Sequence, residues 1–205
     1  MTGGTRCGAG VSTLGLGLVG VAWPAVAEAH LVTSGLGPLY DGISHVLLSP
    51  EDLVPVLAVG LVAGLNGPQS GRRALFVVPA AWLLGGLAGM ATGQLPVPLM
   101  LTTASFLVLG LLIALDWRLS PGAINVLAAA VGLLHGSLNG AGMAAEGREV
   151  LGLVGISATV FVLVAIAAAR VLSLGAPWSR VLVRVAGSWI TATGLLMLGW
   201  GLRGV

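Results

Sequence analysis

The chain has 205 residues, 57% of them hydrophobic and only 8% charged, with a formal net charge of +2 at pH 7. Soluble domains carry roughly a quarter of their residues as charges, so a mean hydropathy of +1.04 excludes an ordinary soluble enzyme. The high isoelectric point rests on few groups and gives no sign of nucleic-acid binding, while a lone cysteine, Cys7, excludes a disulfide framework or a cysteine-based metal site.

The N-terminus has the parts of a secretory signal: Arg6, an apolar stretch over 11–21, and Ala27-Glu28-Ala29 as an A-x-A cleavage site. Residues 1–29 are expected to be a cleavable signal peptide, which would make His30 the mature N-terminus. The alternative is an uncleaved first transmembrane helix. Residues 30–52 then form a periplasmic segment rich in candidate ligands: His30, Asp41, His45, Glu51 and Asp52. Within it, 31–38 reads as a loop and 39–48 as a short helix with Asp41 and His45 four residues apart on one face. Ser49-Pro50-Glu51-Asp52 reads as a helix start, with Ser49 as N-cap, proline in the first helical position and acids where the helix dipole favours them.

Residues 53–205 are expected to form one domain of about six transmembrane helices, over 53–65, 74–90, 99–115, 121–139, 150–169 and 185–202. Each nears the length needed to cross about 30 Å of hydrocarbon. The connections are polar turns at 66–73, 92–98 and 116–120, a loop at 140–149 and a basic segment at 170–184. The 33 glycines suit close helix packing in lipid, as does the spacing of Gly132, Gly136 and Gly140 on one face of the fourth span. The fold class is therefore all-α, a polytopic helical bundle.

Charge placement orients the bundle. Arg72, Arg73, Arg118, Arg170, Arg180 and Arg184 fall in alternate connections, on the cytoplasmic side if the mature N-terminus is periplasmic. Asp41, Glu51, Asp52, Glu146, Glu149 and all three histidines fall at the other face. Imidazoles with carboxylates suit divalent first-row metals. The metal candidates are His30, Asp41, His45, Asp52 and His135, with Glu51 and Asn139 as path or supporting groups. His30 could chelate through its ring and a free α-amine, or could simply be an untied terminus. Asp41 and Glu51-Asp52 also have blander readings as capping groups. His135 lies inside a span, where a polar group is costly and turns to the bundle interior or to water. Its simplest alternative role is a hydrogen bond to another helix. Thr102, Thr103, Ser157, Thr159, Thr191 and Thr193 could line a path or serve as helix–helix contacts. Met143 is a weak candidate for a soft donor.

The segment from His30 to Asp52, with G-P-L-Y-D-G-x-x-H and P-E-D inside it, resembles HupE/UreJ proteins. So do the later L-L-H-G-x-L-N-G-A around His135 and the R-V-A-G-S-W that opens the last span. The resemblance implies a six- to seven-helix bacterial inner-membrane protein, a nickel or cobalt permease serving hydrogenase or urease maturation. It aligns the family's early histidine with His45 and its later His-Gly with His135-Gly136. The family's Asp-His pair reads Glu51-Asp52 here, and a further histidine reads Asn139, which marks a divergent branch. The expected function is a membrane metal-ion permease or metal-handling protein for a divalent transition-metal ion (Ni, Co, Cu or Zn), and not an enzyme. The alternatives are a fixed periplasmic copper or zinc site for storage, delivery or redox chemistry, and a structural subunit of a membrane complex. Expected partners are the lipid bilayer, the metal ion and a membrane or periplasmic protein, with self-association as a further option and no nucleic acid.

Overall fold

The computed structural model describes residues 34–93, 99–147 and 150–203; the signal segment, its cleavage site and His30 lie outside them. The described residues form helices and no strands: α1 Pro38–Leu48, α2 Pro50–Leu65, α3 Pro68–Thr92, α4 Leu99–Ala114, α5 Pro121–Ala145, α6 Val150–Leu172 and α7 Pro177–Leu202. Proline opens α1, α2, α3, α5 and α7. Its missing N–H costs nothing in the first turn and its fixed φ suits helix entry.

That rule shifts several boundaries. The turn expected over 66–73 shrinks to Asn66 and Gly67, because Pro68 starts α3 six residues ahead of the apolar run. The basic connection expected over 170–184 is mostly helical, split between the end of α6 and the first turns of α7. The loop expected from residue 140 is helical as far as Ala145.

By length and hydropathy α3, α5, α6 and α7 can each cross a membrane, while α1 and α2 form one apolar pair bent by 76° at Ser49. Alone, α2 has 16 residues, about 24 Å at 1.5 Å per residue. α4 is a short apolar helix of similar length.

The helix ends sort into two groups. The starts of α2 and α4 and the ends of α5 and α7 line one cavity through Asp52, Thr102, Asn139 and Met197. The end of α2, the end of α6 and the start of α7 line another through Leu65, Leu172 and Arg180. Helices α2 to α7 thus alternate in direction, and α1 rests across the first turns of α6.

Glycine sets the closeness of these contacts. A Cβ on Gly136 would fall on the Trp82 carbonyl oxygen, and one on Gly140 would fall on that of Gly86. From the opposite helix, Gly85 abuts Leu133 O and Gly89 abuts Ser137 O. α3 and α5 therefore meet backbone to backbone, the small-residue packing expected of Gly132, Gly136 and Gly140. Gly42 meets Gly152 and Gly155 meets Leu39 in the same way, seating α1 on α6. Gly187 and Gly110 do so between α4 and α7. Outside this framework Phe76, Trp189, Leu196 and Trp200 are exposed, as befits side chains that meet lipid.

At the end away from the histidines, guanidinium groups tie off helix termini. Arg118 Nη1 donates to Leu65 O at 2.6 Å, and Arg184 Nε donates to Ala114 O at 2.9 Å. Arg180 Nη2 holds both carboxylate oxygens of Asp116, at 3.0 and 2.9 Å. Leu65 O and Ala114 O are among the final carbonyls that α2 and α4 leave unpaired, and cations are favoured beside them.

Gly140→Leu is expected to force α3 and α5 apart and to lower stability by roughly 1–3 kcal/mol or more, as overpacking does. Gly199→Ala, where a Cβ meets nothing within 4 Å, is expected to be neutral or stabilising by up to about 1 kcal/mol. Thermal unfolding of the two detergent-purified variants compares them, and equal midpoints would refute the packing account.

Candidate metal centre

The site is built where α1 breaks into α2. Ser49 occupies the N-cap of α2, yet its hydroxyl makes no capping bond. It turns back to His45 Nδ1 at 3.4 Å, so the residue expected to cap the helix orients the imidazole one turn earlier. That leaves His45 Nε2 pointing past the break towards Asp52.

Asp52 is the hub. It is only 2% exposed, beside His135 at 1% and His45 at 7%. Its Oδ1 lies 3.0 Å from His135 Nδ1, and its Oδ2 accepts from Asn139 Nδ2 at 2.9 Å. His45 Nε2 stands 3.3 Å from the same Oδ2, off the line of an N–H bond, and so has no hydrogen-bond partner. Residues 83 and 87 positions apart are thereby joined to one carboxylate. A buried carboxylate needs such neighbours, since desolvation without them costs several kcal/mol.

His135 is engaged on all sides. Trp82 stacks on its ring with centroids 5.6 Å apart and planes 28° apart. Its Nε2 meets Ser105 Oγ at 3.1 Å, and Ser105 donates its hydroxyl hydrogen to Thr102 O at 2.6 Å. Ser105 Oγ thus bridges the ring to Thr102 O, and both ring nitrogens of His135 are engaged. Ser105 and Trp82 are contributions that sequence reading missed. A hydroxyl in an apolar helix and a buried tryptophan are ordinary features, and only the fold shows what they touch.

A half-open cavity of about 330 Å³ adjoins the cluster, lined among others by His45, Glu51, Asp52, His135, Asn139 and Met197. Glu146 also reaches it. Two buried atoms on this lining lack hydrogen-bond partners, His45 Nε2 and Asn139 Oδ1. Among the described residues no three His, Cys, Asp or Glu side chains enclose a common point in the manner of a metal cage.

The structure therefore gathers His45, Glu51, Asp52, His135 and Asn139 around one cavity. Asp41 has a different position. It is buried, but its Oδ1 accepts from Ser34 N and Ser34 Oγ at 2.5 and 2.6 Å, securing the loop that leads into α1, and it is absent from the cavity lining. Met143 packs against Gly152, whereas Met197, unremarked in the sequence, lines the cavity. Of the hydroxyls considered for a path, Thr159, Thr191 and Thr193 each donate to a carbonyl of their own helix.

The HupE / UreJ protein family matches residues 16–197. Among individual proteins, Protein HupE of Rhizobium leguminosarum bv. viciae is 25% identical over 191 residues, covering 88% of this chain and 94% of that protein. No solved structure matches. The family match spans α1 to α6 and nearly all of α7, including both histidine segments that converge on Asp52, and on that extent the chain belongs to the HupE/UreJ family, membrane proteins associated with nickel and cobalt transport.

Proposed function

We propose that this protein is a permease of the bacterial inner membrane that takes up a divalent transition-metal ion at a periplasmic-face site and passes it inward. The carrying observation is the cavity in which a buried carboxylate, Asp52, stands beside two buried atoms without hydrogen-bond partners, His45 Nε2 and Asn139 Oδ1. A polar group buried without a partner costs free energy, and a cation that accepts both lone pairs recovers it. Glu51 and Glu146 at the same cavity add negative potential that concentrates cations.

In this reading α2 to α7 make six crossings, α1 lies across the periplasmic face, and the Arg118–Arg180–Arg184 end is cytoplasmic. The positive-inside rule supports that orientation. The metal ion is cargo, and the protein's own groups attract it, strip part of its water and hold it at the mouth of the bundle.

One observation favours a second reading, a fixed site that stores or delivers copper or zinc. The hydroxyls of Thr159, Thr191 and Thr193 return to their own helices instead of facing a passage. Transport and storage part in vesicles, because only a permease moves ions across.

In proteoliposomes, wild-type protein is expected to admit Ni²⁺ or Co²⁺ to a trapped fluorescent chelator, and Asp52→Asn to slow entry by at least about tenfold, the scale on which metal-site neighbours act. Entry no faster than in protein-free vesicles, with metal retained on the purified protein, would establish the fixed site instead. For orientation, cysteines placed at Ala145 and Ser173, both on the protein surface, are expected to react with a membrane-impermeant maleimide from opposite sides, Ala145→Cys from the periplasm. Labelling of both from one side would sink the topology.

A further inference from the structure

We propose that the cavity at the arginine-rich end of the bundle holds a phosphate group through Arg118 and Arg180, and that this phosphate is the headgroup of an anionic phospholipid. The inference needs α6 and α7 to cross the bilayer, and it is independent of what the histidine end carries.

The cavity has about 220 Å³ and lies where α2 and α6 end and α3 and α7 begin. One liquid water takes up about 30 Å³, so there is room for a phosphate and the first atoms of its ester. The negative ends of two helix dipoles and the positive ends of two others meet there and largely offset one another. Side chains therefore set the sign. Among the described residues Arg72, Arg73, Arg170 and Arg184 join Arg118 and Arg180 at this end, against a single acid, Asp116. Asp116 is held by Nη2 of Arg180, and Arg118 gives only Nη1, to Leu65 O. A guanidinium has five N–H groups. Nε and Nη2 of Arg118, and Nε and Nη1 of Arg180, have no partner among the described residues. Arg118 also has no carboxylate beside it, so it brings an uncompensated charge to the cavity wall. Such forks match the oxygens of a phosphate two at a time.

A free phosphate ion and a lipid headgroup offer those arginines the same chemistry. The rest of the lining separates them. Val171, Leu172 and Leu174 give the cavity an apolar wall, and Leu172 is exposed at the surface of α6. An inorganic anion gains nothing from that wall, whereas an acyl chain leaving the phosphate buries apolar surface along it. Depth points the same way. Trp117, next to Arg118, and Trp178, two residues before Arg180, are both exposed. Tryptophans at the ends of spans sit at headgroup level, which sets the cavity beside the lipid phosphates. Basic pockets between spanning helices are where anionic headgroups bind.

Full-length protein in neutral detergent, titrated with phosphatidylglycerol, phosphatidylcholine and inorganic phosphate, tests the site, with native mass spectrometry following the first molecule bound. Phosphatidylglycerol is expected to bind more tightly than phosphatidylcholine, which has the same phosphate without net charge, and inorganic phosphate to bind least. Arg118→Gln should weaken phosphatidylglycerol binding by at least about tenfold, the scale of a hydrogen bond to a charged group. Arg73→Gln, at an exposed arginine outside the cavity lining, should cost no more than about fivefold, as diffuse attraction to a basic surface does. Leu172→Glu brings an anion into the cavity and leaves Arg118 on Leu65 O. It should weaken the lipid as Arg118→Gln does, and it decides the matter if Arg118→Gln does not fold. Equal losses in Arg118→Gln and Arg73→Gln, unchanged binding in Leu172→Glu, or no preference for phosphatidylglycerol over phosphatidylcholine would each overturn the site. Inorganic phosphate bound as tightly as the lipid would overturn the lipid assignment in favour of a free anion. Metal entry in the Asp52→Asn comparison is a separate readout, so failure here and failure of the permease reading are distinguishable.

Discussion

The burial of one carboxylate governs the outer half of this molecule. Asp52 sits in the first turn of a helix, a position where an acid is ordinarily solvated and helped by the dipole. Here three other helices close around it, and the charge is removed from water. That arrangement is tolerable only while His135, Asn139 and His45 remain within reach. The requirement fixes the rotation of α5 about its axis, the placing of the α1–α2 break and the approach of α4 through Ser105. The candidate metal centre is thus also a structural knot between helices.

The glycine contacts make that knot attainable. His135 can reach Asp52 from α5 only if α5 is held tightly against its neighbours, and the backbone contacts of Gly136 with Trp82 and Gly140 with Gly86 do this. The same run that carries the histidine carries the glycines. Lipid gives helices little hydrophobic reason to associate, so close backbone packing supplies the attraction. Function and assembly are encoded in one heptad-length stretch of α5.

Much of this was legible in the residues. Composition alone assigns a helical membrane chain, and the segregation of arginines from histidines and acids anticipates the two chemically distinct ends. His45, Asp52, His135 and Asn139 were all identifiable as polar residues at the margins of apolar runs. Boundaries were less legible, because proline at a helix start and proline in a turn look alike in one dimension. Pro68 and Pro177 therefore extend α3 and α7 backward through polar and basic residues that read as loops. Partners were least legible of all. Spacing placed Asp41 on the face of His45, but its carboxylate holds Ser34, and the acid that faces His45 lies across a helix break that a straight-helix projection cannot represent. The role of Ser105 depends on a contact between residues 30 positions apart, for which a sequence carries no mark.

The exposure of α7 has a bearing on how any affinity of this protein is to be understood. That helix packs chiefly on α4 and turns most of its length outward, and the two together contribute Thr102, Phe106 and Met197 to the cavity. One wall of the site is thus formed by helices whose outer faces no other described helix covers. Where lipid covers those faces, its chain length, lateral pressure and headgroup charge enter the free energy of that wall. An affinity measured at this cavity would accordingly be a property of protein and solvent film together, and would belong to the membrane in which it was measured.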